Sequence, residues 1–546
     1  MADQAGNENR EEAQFDVVIV GAGFSGMYML HKCRGLGLRA VVLDAASDVG
    51  GTWYWNRYPG ARCDIHSMDY SYSFDEDLQQ EWEWSERYSP QPEILSYVEH
   101  VAERFDLRRD IRFDTTVVAA SYDEDANLWH LETSTGETWS GTFCVLAVGC
   151  LSVPQKPDFD GLDQFKGPWY HTGLWPHEGV DFTGLDVAVV GTGSSAIQSI
   201  PQIAKQAKHL TVFQRTPNFA VPAWNRKLGE EEVREIKENY TAYREYARWS
   251  ESGYNGEEAH ESGHDVSENR RISELERRWA EGGFTVLSTF SDVGSDLEVN
   301  EMVADFARDK IRQRVDDPEV AELLCPKNHP FGTKRLCVDI DYYETYNLPN
   351  VSLVNLRDAP IEAITPDGLK TMEKAYSFDA IVFAIGFDAM TGPLLNIDIK
   401  GRGGQSLREK WVDGPQTYLG LGVAGFPNMF TVTGPQSPSV LTNMMSAIEQ
   451  HVEWISDCLG YMKDQNLDCI EAAEEAERDW VKHNLEVADT TLYPQADSWY
   501  VGANMEGKPR VFYPYVGGFG EYRKKCDAIA AEGYRGFELA STGKAG

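Results

Sequence analysis

No two cysteines in this chain stand as a CxxC pair, and the nine present (Cys33, Cys63, Cys144, Cys150, Cys325, Cys337, Cys458, Cys469, Cys526) form no even framework. That pattern argues against a zinc ribbon or a disulfide scaffold, and the thiols are expected to be reduced in a cytoplasm. Long apolar runs are also missing. The opening MADQAGNENREEAQ is polar and acidic, so neither secretion nor membrane insertion is expected. Positive charge is scarce: 50 Lys and Arg against 87 Asp and Glu leave a formal charge of −37. Such a surface repels nucleic-acid backbones and acidic lipid. The excess is spread along the chain and reads as solubility, which makes any local cluster of cations informative.

Core-forming residues are plentiful, with 42% of the 546 residues hydrophobic and 12% aromatic. A single core stops growing near about 250–300 residues, so two or three domains are expected. Phe15–Val20 is a β-branched run that meets a glycine turn, a helical pattern to about Cys33, and a second run, Ala40–Asp44. The same order returns from Leu185 to Val190, through the turn at Gly191, to Leu210–Phe213. One strand–turn–helix–strand unit therefore occurs twice, about 170 residues apart, a domain-scale repeat. Residues 226–315 are rich in Glu, Arg and Lys at helical spacing and lack proline, which predicts a helical insertion. Strand-like runs resume at Val351 and Ala380, and 446–487 reads as helical.

Both turns carry a phosphate-binding signature in the context that gives it meaning. In Gly21-Ala-Gly23-Phe-Ser-Gly26 the first glycine permits the tight turn, the second admits a pyrophosphate, and the third lets helix and strand pack closely. Asp44 then stands where an acid binds ribose hydroxyls. The second turn, Gly191-Thr192-Gly193-Ser194-Ser195-Ala196, leads to a strand ending in Arg215-Thr216 with no acid. A carboxylate there would repel a 2′-phosphate, whereas Arg215 pairs with one, so the second unit should hold NADPH. FAD on the first unit, reduced by NADPH on the second, fits this asymmetry better than two NAD sites. An accidental glycine-rich loop does not explain both turns. Dithiol chemistry is disfavoured, because Cys144 and Cys150 are separated by five residues beside a strand.

The segment Phe165-Lys-Gly167-Pro-Trp-Tyr-His171-Thr-Gly-Leu-Trp175-Pro176 matches the pattern FxGxxxHxxxW(P/D). In this the chain resembles the type I Baeyer–Villiger monooxygenases, and the likeness continues through Gly50–Asp64, Phe331–Arg335, Ala384–Asp388 and Ser498–Asn504. Ser437–Met444 is most similar to the phenylacetone and steroid monooxygenases of that family. Ile385 and Cys150 depart from the family pattern, Cys150 beside the pocket.

The resemblance implies an α/β fold of two Rossmann-like dinucleotide-binding domains with a helical insertion. Its expected parts are an FAD domain at 1–155, a linker and NADPH domain at 156–225, the insertion at 226–325, the rest of the NADPH domain at 326–375, and the rest of the FAD domain at 376–546. It also implies that NADPH reduces FAD, that O2 forms a C4a-peroxyflavin, and that a ketone becomes an ester or lactone. Arg335 is the implied catalytic cation and Asp64 its partner. Flavin contacts carry over to Ser25, Thr52, Trp53, Trp55, Tyr70, Val117 and Met444. NADPH contacts carry over to Gly191, Thr192, Gly193, Ser194, Ser195, Gln198, Arg215, Thr216 and Lys334, with Trp499 on a mobile loop. His171 reads as structural, in an interdomain linker. No metal is expected, and the partners are a small ketone and O2, with a monomeric enzyme. A flavin N- or S-hydroxylating monooxygenase is the rival enzyme, and a non-catalytic redox sensor the rival of another class.

Overall fold

The computed structural model describes residues 14–543, and the polar opening at 1–13 lies outside them. Strand Gln14–Val20 has its last four residues buried, and it meets the turn that opens helix Phe24–Gly35. Its neighbours are Ala40–Leu43 on one side and Thr138–Leu146 on the other, both parallel. Ile111–Arg112 extends one edge of this eight-stranded sheet. Beyond Thr138–Leu146 the strands Leu128–Thr133 and Val117–Asp123 run antiparallel, and Asp398–Lys400 closes the other edge. Met429–Thr431 also pairs with Thr138–Leu146, so the C-terminal part of the chain completes the first sheet.

The second sheet is five-stranded and parallel throughout, in the order Val351–Asn355, His209–Gln214, Asp186–Val190, Ala380–Phe383, Trp169–His171. Helix Ser194–Ala204 covers it, burying Ala196, Ile197, Ile200 and Ile203 against Val187, Val189, Leu210 and Val212. A continuous apolar run of this kind is what a strand covered on both faces requires.

Three expectations are corrected. The boundary expected at 375/376 falls too early, because Ala380–Phe383 belongs to the second sheet through its register with Asp186–Val190. Strand Trp169–His171 makes that sheet's edge, so part of the segment read as a linker is structural β. The stretch read as helical from 446 to 487 is two helices, Met444–Gln465 and Glu474–Asp489, separated by strand Cys469–Ala472, which pairs with Phe537–Ala540. Only distant partners could reveal those pairings. The insertion is helical, with Glu230–Glu238, Tyr240–Trp249, Glu268–Glu281, Leu297–Arg314 and Pro318–Leu324.

Candidate active site

The two glycine turns share a backbone and differ in surroundings. Helices Phe24–Gly35 and Ser194–Ala204 both start from a glycine N-cap with no side-chain cap, so their first N–H groups are left to an incoming acceptor. A Cβ on Gly26 would lie 1.8 Å from the Gly21 carbonyl oxygen, and one on Gly191 2.4 Å from that of Ala384, so these positions admit no side chain. Gly193 faces open space, and Gly23 faces only the Gly51 backbone, its Cα at 3.4 Å and its nitrogen at 3.9 Å. These are cradles of bare backbone, shaped for two dinucleotide pyrophosphates.

At the ribose end of the first unit, Asp44 is buried and its carboxylate accepts the backbone N–H groups of Ala22 and Ala46. Burial raises its pKa, opposed by those two N–H bonds. Each oxygen keeps lone-pair capacity for a ribose hydroxyl. Thr52, Trp53 and Trp55 share the short helix after Gly51, and the Trp53 indole donates to the Tyr70 hydroxyl at 3.2 Å. Val117 opens strand Val117–Asp123 and belongs to the same apolar cluster as Val20 and Leu43. Ser25 lies in the first helix, and Met444 opens helix Met444–Gln465.

In the second unit the Thr192 hydroxyl donates to the Thr216 carbonyl at 2.9 Å. Ser194 meets the Cys337 sulfur at 3.1 Å, and Ser195 meets Thr172 at 3.1 Å. Gln198 has a duty the sequence did not suggest: its carboxamide accepts from Tyr58 at 2.8 Å and donates to the Arg62 carbonyl at 3.1 Å, tying the two units together. Lys334 donates to the Asp497 carbonyl, which binds the loop carrying Trp499 to this corner. Burial lowers the Lys334 pKa, Asp497 opposes this, and Arg215 and Arg357 lower it further. Arg357 went unnoticed in the sequence because it sits in no motif.

Where the units meet, Arg335 and Asp64 form a double-pronged pair. Nη2 donates to both carboxylate oxygens at 2.9 Å, Nε to Oδ2 at 3.3 Å, and Nη1 to the Val440 carbonyl at 2.9 Å. Burial opposes the charge on Arg335, yet Asp64 and Tyr500 outweigh it and hold the guanidinium pKa above its ordinary value. The guanidinium stacks 4.8 Å from the Phe284 ring centre and keeps 26% exposure into a cavity. That cavity is lined by Ile65, Tyr254, Phe284, Leu287, Leu441 and Tyr500. Tyr254, Phe284 and Leu287 come from the insertion, where nothing in their spacing distinguishes them from packing residues.

Cys150, Leu151, Val440, Leu441, Met444, Trp499 and Tyr500 share one apolar cluster. Burial raises the Cys150 thiol to about 11 and leaves it a neutral lining group. His171 is buried and pushed down to about 4, chiefly by burial, and its Nδ1 accepts the Gly173 N–H. A neutral imidazole so placed orders the loop beneath Phe387, which its ring meets edge-on at 6.3 Å.

The fold and paired turns are those of flavoproteins that carry two dinucleotides. A family model described as pyridine nucleotide-disulphide oxidoreductase matches residues 18–271. Since all nine cysteines are free and buried, that match reflects the nucleotide units and not thiol chemistry. A Baeyer–Villiger monooxygenase of Pseudooceanicola batsensis is 42% identical over 535 residues, covering 97% of each chain. A phenazine N-monooxygenase of Lysobacter antibioticus is 43% identical over 537 residues, covering 98% of each. Among solved structures, an oxidised steroid monooxygenase bound to NADP superposes with a TM-score of 0.93 at 50% identity, over 97% of this chain and 100% of that one. A complex of the enzyme abbreviated OTEMO with FAD and NADP gives 0.93 at 41%, over 96% and 99%.

The chain belongs to the type I Baeyer–Villiger monooxygenases, enzymes that use FAD and NADPH.

Proposed function

We propose that this enzyme oxidises bulky aryl, cyclic or steroid-like ketones to esters or lactones, consuming NADPH, a proton and O2 and releasing NADP+ and water. FAD, when bound, supplies the oxygen-activating chemistry of the family. The observation that carries the reading is Arg335, fixed by Asp64 and Val440 and open to a cavity of mixed aromatic, aliphatic and hydroxyl lining where the two nucleotide units join. A guanidinium stays protonated at any working pH, so it stabilises negative charge on oxygen and cannot donate its proton away. Held in place beforehand, it does so with little reorganisation. Asp64 fixes the direction of the fork.

The same reading assigns Gly21, Gly23, Ser25, Gly26, Asp44 and the Thr52–Trp55 helix to FAD, and Gly191–Ser195, Arg215, Thr216 and Lys334 to NADPH, with Trp499 closing over it. It also assigns the enzyme to the cytoplasm, as a monomer with no obligatory protein partner. Sulfoxidation is expected as a side activity.

A second reading, N-oxidation, is favoured by the phenazine N-monooxygenase relative. One panel separates the two. Purified holoenzyme with NADPH and 18O2 is offered ketones, phenazines, amines and sulfides. Labelled ester from a ketone is expected, and N-oxide without any ester would overturn the proposal.

A further inference from the structure

We infer that Arg357 is a third cation for the NADPH 2′-phosphate, beside Arg215 and Lys334, and a determinant of NADPH over NADH. The inference rests on the NADPH assignment above. Strand Val351–Asn355 pairs in parallel with His209–Gln214, with Asn355 opposite Gln214. Two residues beyond each strand end stand Arg357 and Thr216, brought side by side by that register although 141 positions separate them. Leu356 continues the ladder by donating to the Gln214 carbonyl at 2.8 Å, and the Asn355 side chain accepts the Arg357 N–H at 3.2 Å, which fixes the turn.

The guanidinium then crosses the strand end. Nε donates to the Arg215 carbonyl at 2.9 Å and Nη2 reaches the Thr216 hydroxyl at 3.4 Å. These are its only side-chain bonds among the described residues, so most of an exposed, five-donor fork faces solvent and is open to an arriving ligand's oxygens. The neighbouring acid does not claim it: Asp358 accepts from the Asn355 amide at 2.7 Å.

Electrostatics points the same way. Arg215, Lys334 and Arg357 act on one another closely enough for both arginines to lower the Lys334 pKa. Burial, then Lys334, Arg308 and Arg357, push nearby His329 down to about 3. None of the three cations makes an ion pair among the described residues, in a chain of formal charge −37. Asp497 offsets part of the charge at Lys334 without an ion pair to it, and the two arginines have no carboxylate partner, so like charges repel here and an arriving dianion relieves that repulsion. A phosphate on the ribose at this strand end meets two arginine forks and an ammonium.

The test is equilibrium titration of FAD-loaded enzyme with NADP+ and with NAD+, in wild type, Arg357→Ala, Arg357→Lys and Arg215→Ala. Arg357→Ala should weaken NADP+ about tenfold and change NAD+ less than about twofold, with flavin content and Tm unchanged. Arg357→Lys, which keeps the charge and loses the fork, should fall between. Equal weakening of both nucleotides, or unchanged NADP+ affinity while Arg215→Ala still loses it, overturns the role of Arg357 alone. A wild type indifferent to the 2′-phosphate overturns the NADPH assignment and this inference together.

Discussion

The first nucleotide unit is enclosed and the second is open. Around Gly21–Gly26 the chain doubles back at Gly50–Gly51, where a Cβ on Gly51 would lie 2.9 Å from the Gly23 Cα, and the ribose end is a buried acid, Asp44. Around Gly191–Ala196 nothing faces Gly193, and the ribose end is the exposed cation Arg215. One backbone device thus serves two purposes. Enclosure suits a cofactor that stays through many turnovers. An open mouth ringed by cations suits one that must arrive, deliver its hydride and be exchanged.

The sharpest way to break this contrast is a methyl group on each turn. Gly26→Ala places a Cβ against the Gly21 carbonyl and should yield protein with almost no flavin, read from the visible absorbance of the purified enzyme. Gly193→Ala meets no protein atom within 4 Å, so flavin and Tm should be retained while NADP+ binding weakens about tenfold, near 1.4 kcal/mol. Loss of flavin in both variants would erase the distinction.

At the junction, Arg335→Ala should keep both nucleotides and lose ester formation by a factor on the order of 10²–10³, measured as product per NADPH oxidised. Undiminished ester yield would remove Arg335 from the chemistry. Reversing the charge at the open unit, Arg215→Glu, should weaken NADP+ by about 10–100-fold with NAD+ little affected, by fluorescence titration.

The smallest effect concerns the enclosed unit. Glu449 is buried on the helix that packs against Phe24–Gly35, and accepts the Ser73 N–H and hydroxyl, both at 2.6 Å. Burial, then Glu453, raises its carboxyl from the ordinary 4.5 to about 7. A carboxyl raised in the folded state stabilises fully below about pH 4.5 and loses that contribution as pH climbs through 7. Glu449→Gln should flatten this slope by about 2 °C in Tm between those limits, by calorimetry at several pH values. An unchanged slope would show that Glu449 is not the group responsible.

Much of this was legible beforehand, because the signals were local. A glycine turn between a β-branched run and a helical pattern is confined to about 15 residues, and the charge at each ribose end lies within one strand of it. Less legible were the sheet that the strand at Ala380 joins and the strand at Cys469, which depend on partners far along the chain, and the cavity residues Tyr254, Phe284 and Leu287, which carry no motif. Gln198 and Arg357 fall in the same class: the former bridges the units through Tyr58 and Arg62, and the latter reaches Thr216 through strand register.

The sequence alone determined that there are two dinucleotide units and that one ends in an acid and the other in a cation; the pairing of Arg335 with Asp64 was implied only by the family resemblance. Residue identity carries charge and backbone permissiveness, and those act over a few ångströms of chain. Only the tertiary structure decided which turn is roofed, which residues of the insertion wall the cavity around Arg335, and that Arg357 lies beside Arg215 and Thr216. The roof joins Gly51 to Gly23, 28 positions apart, and the other contacts join segments more than 100 residues apart, all set by sheet register and packing rather than by any one residue's chemistry.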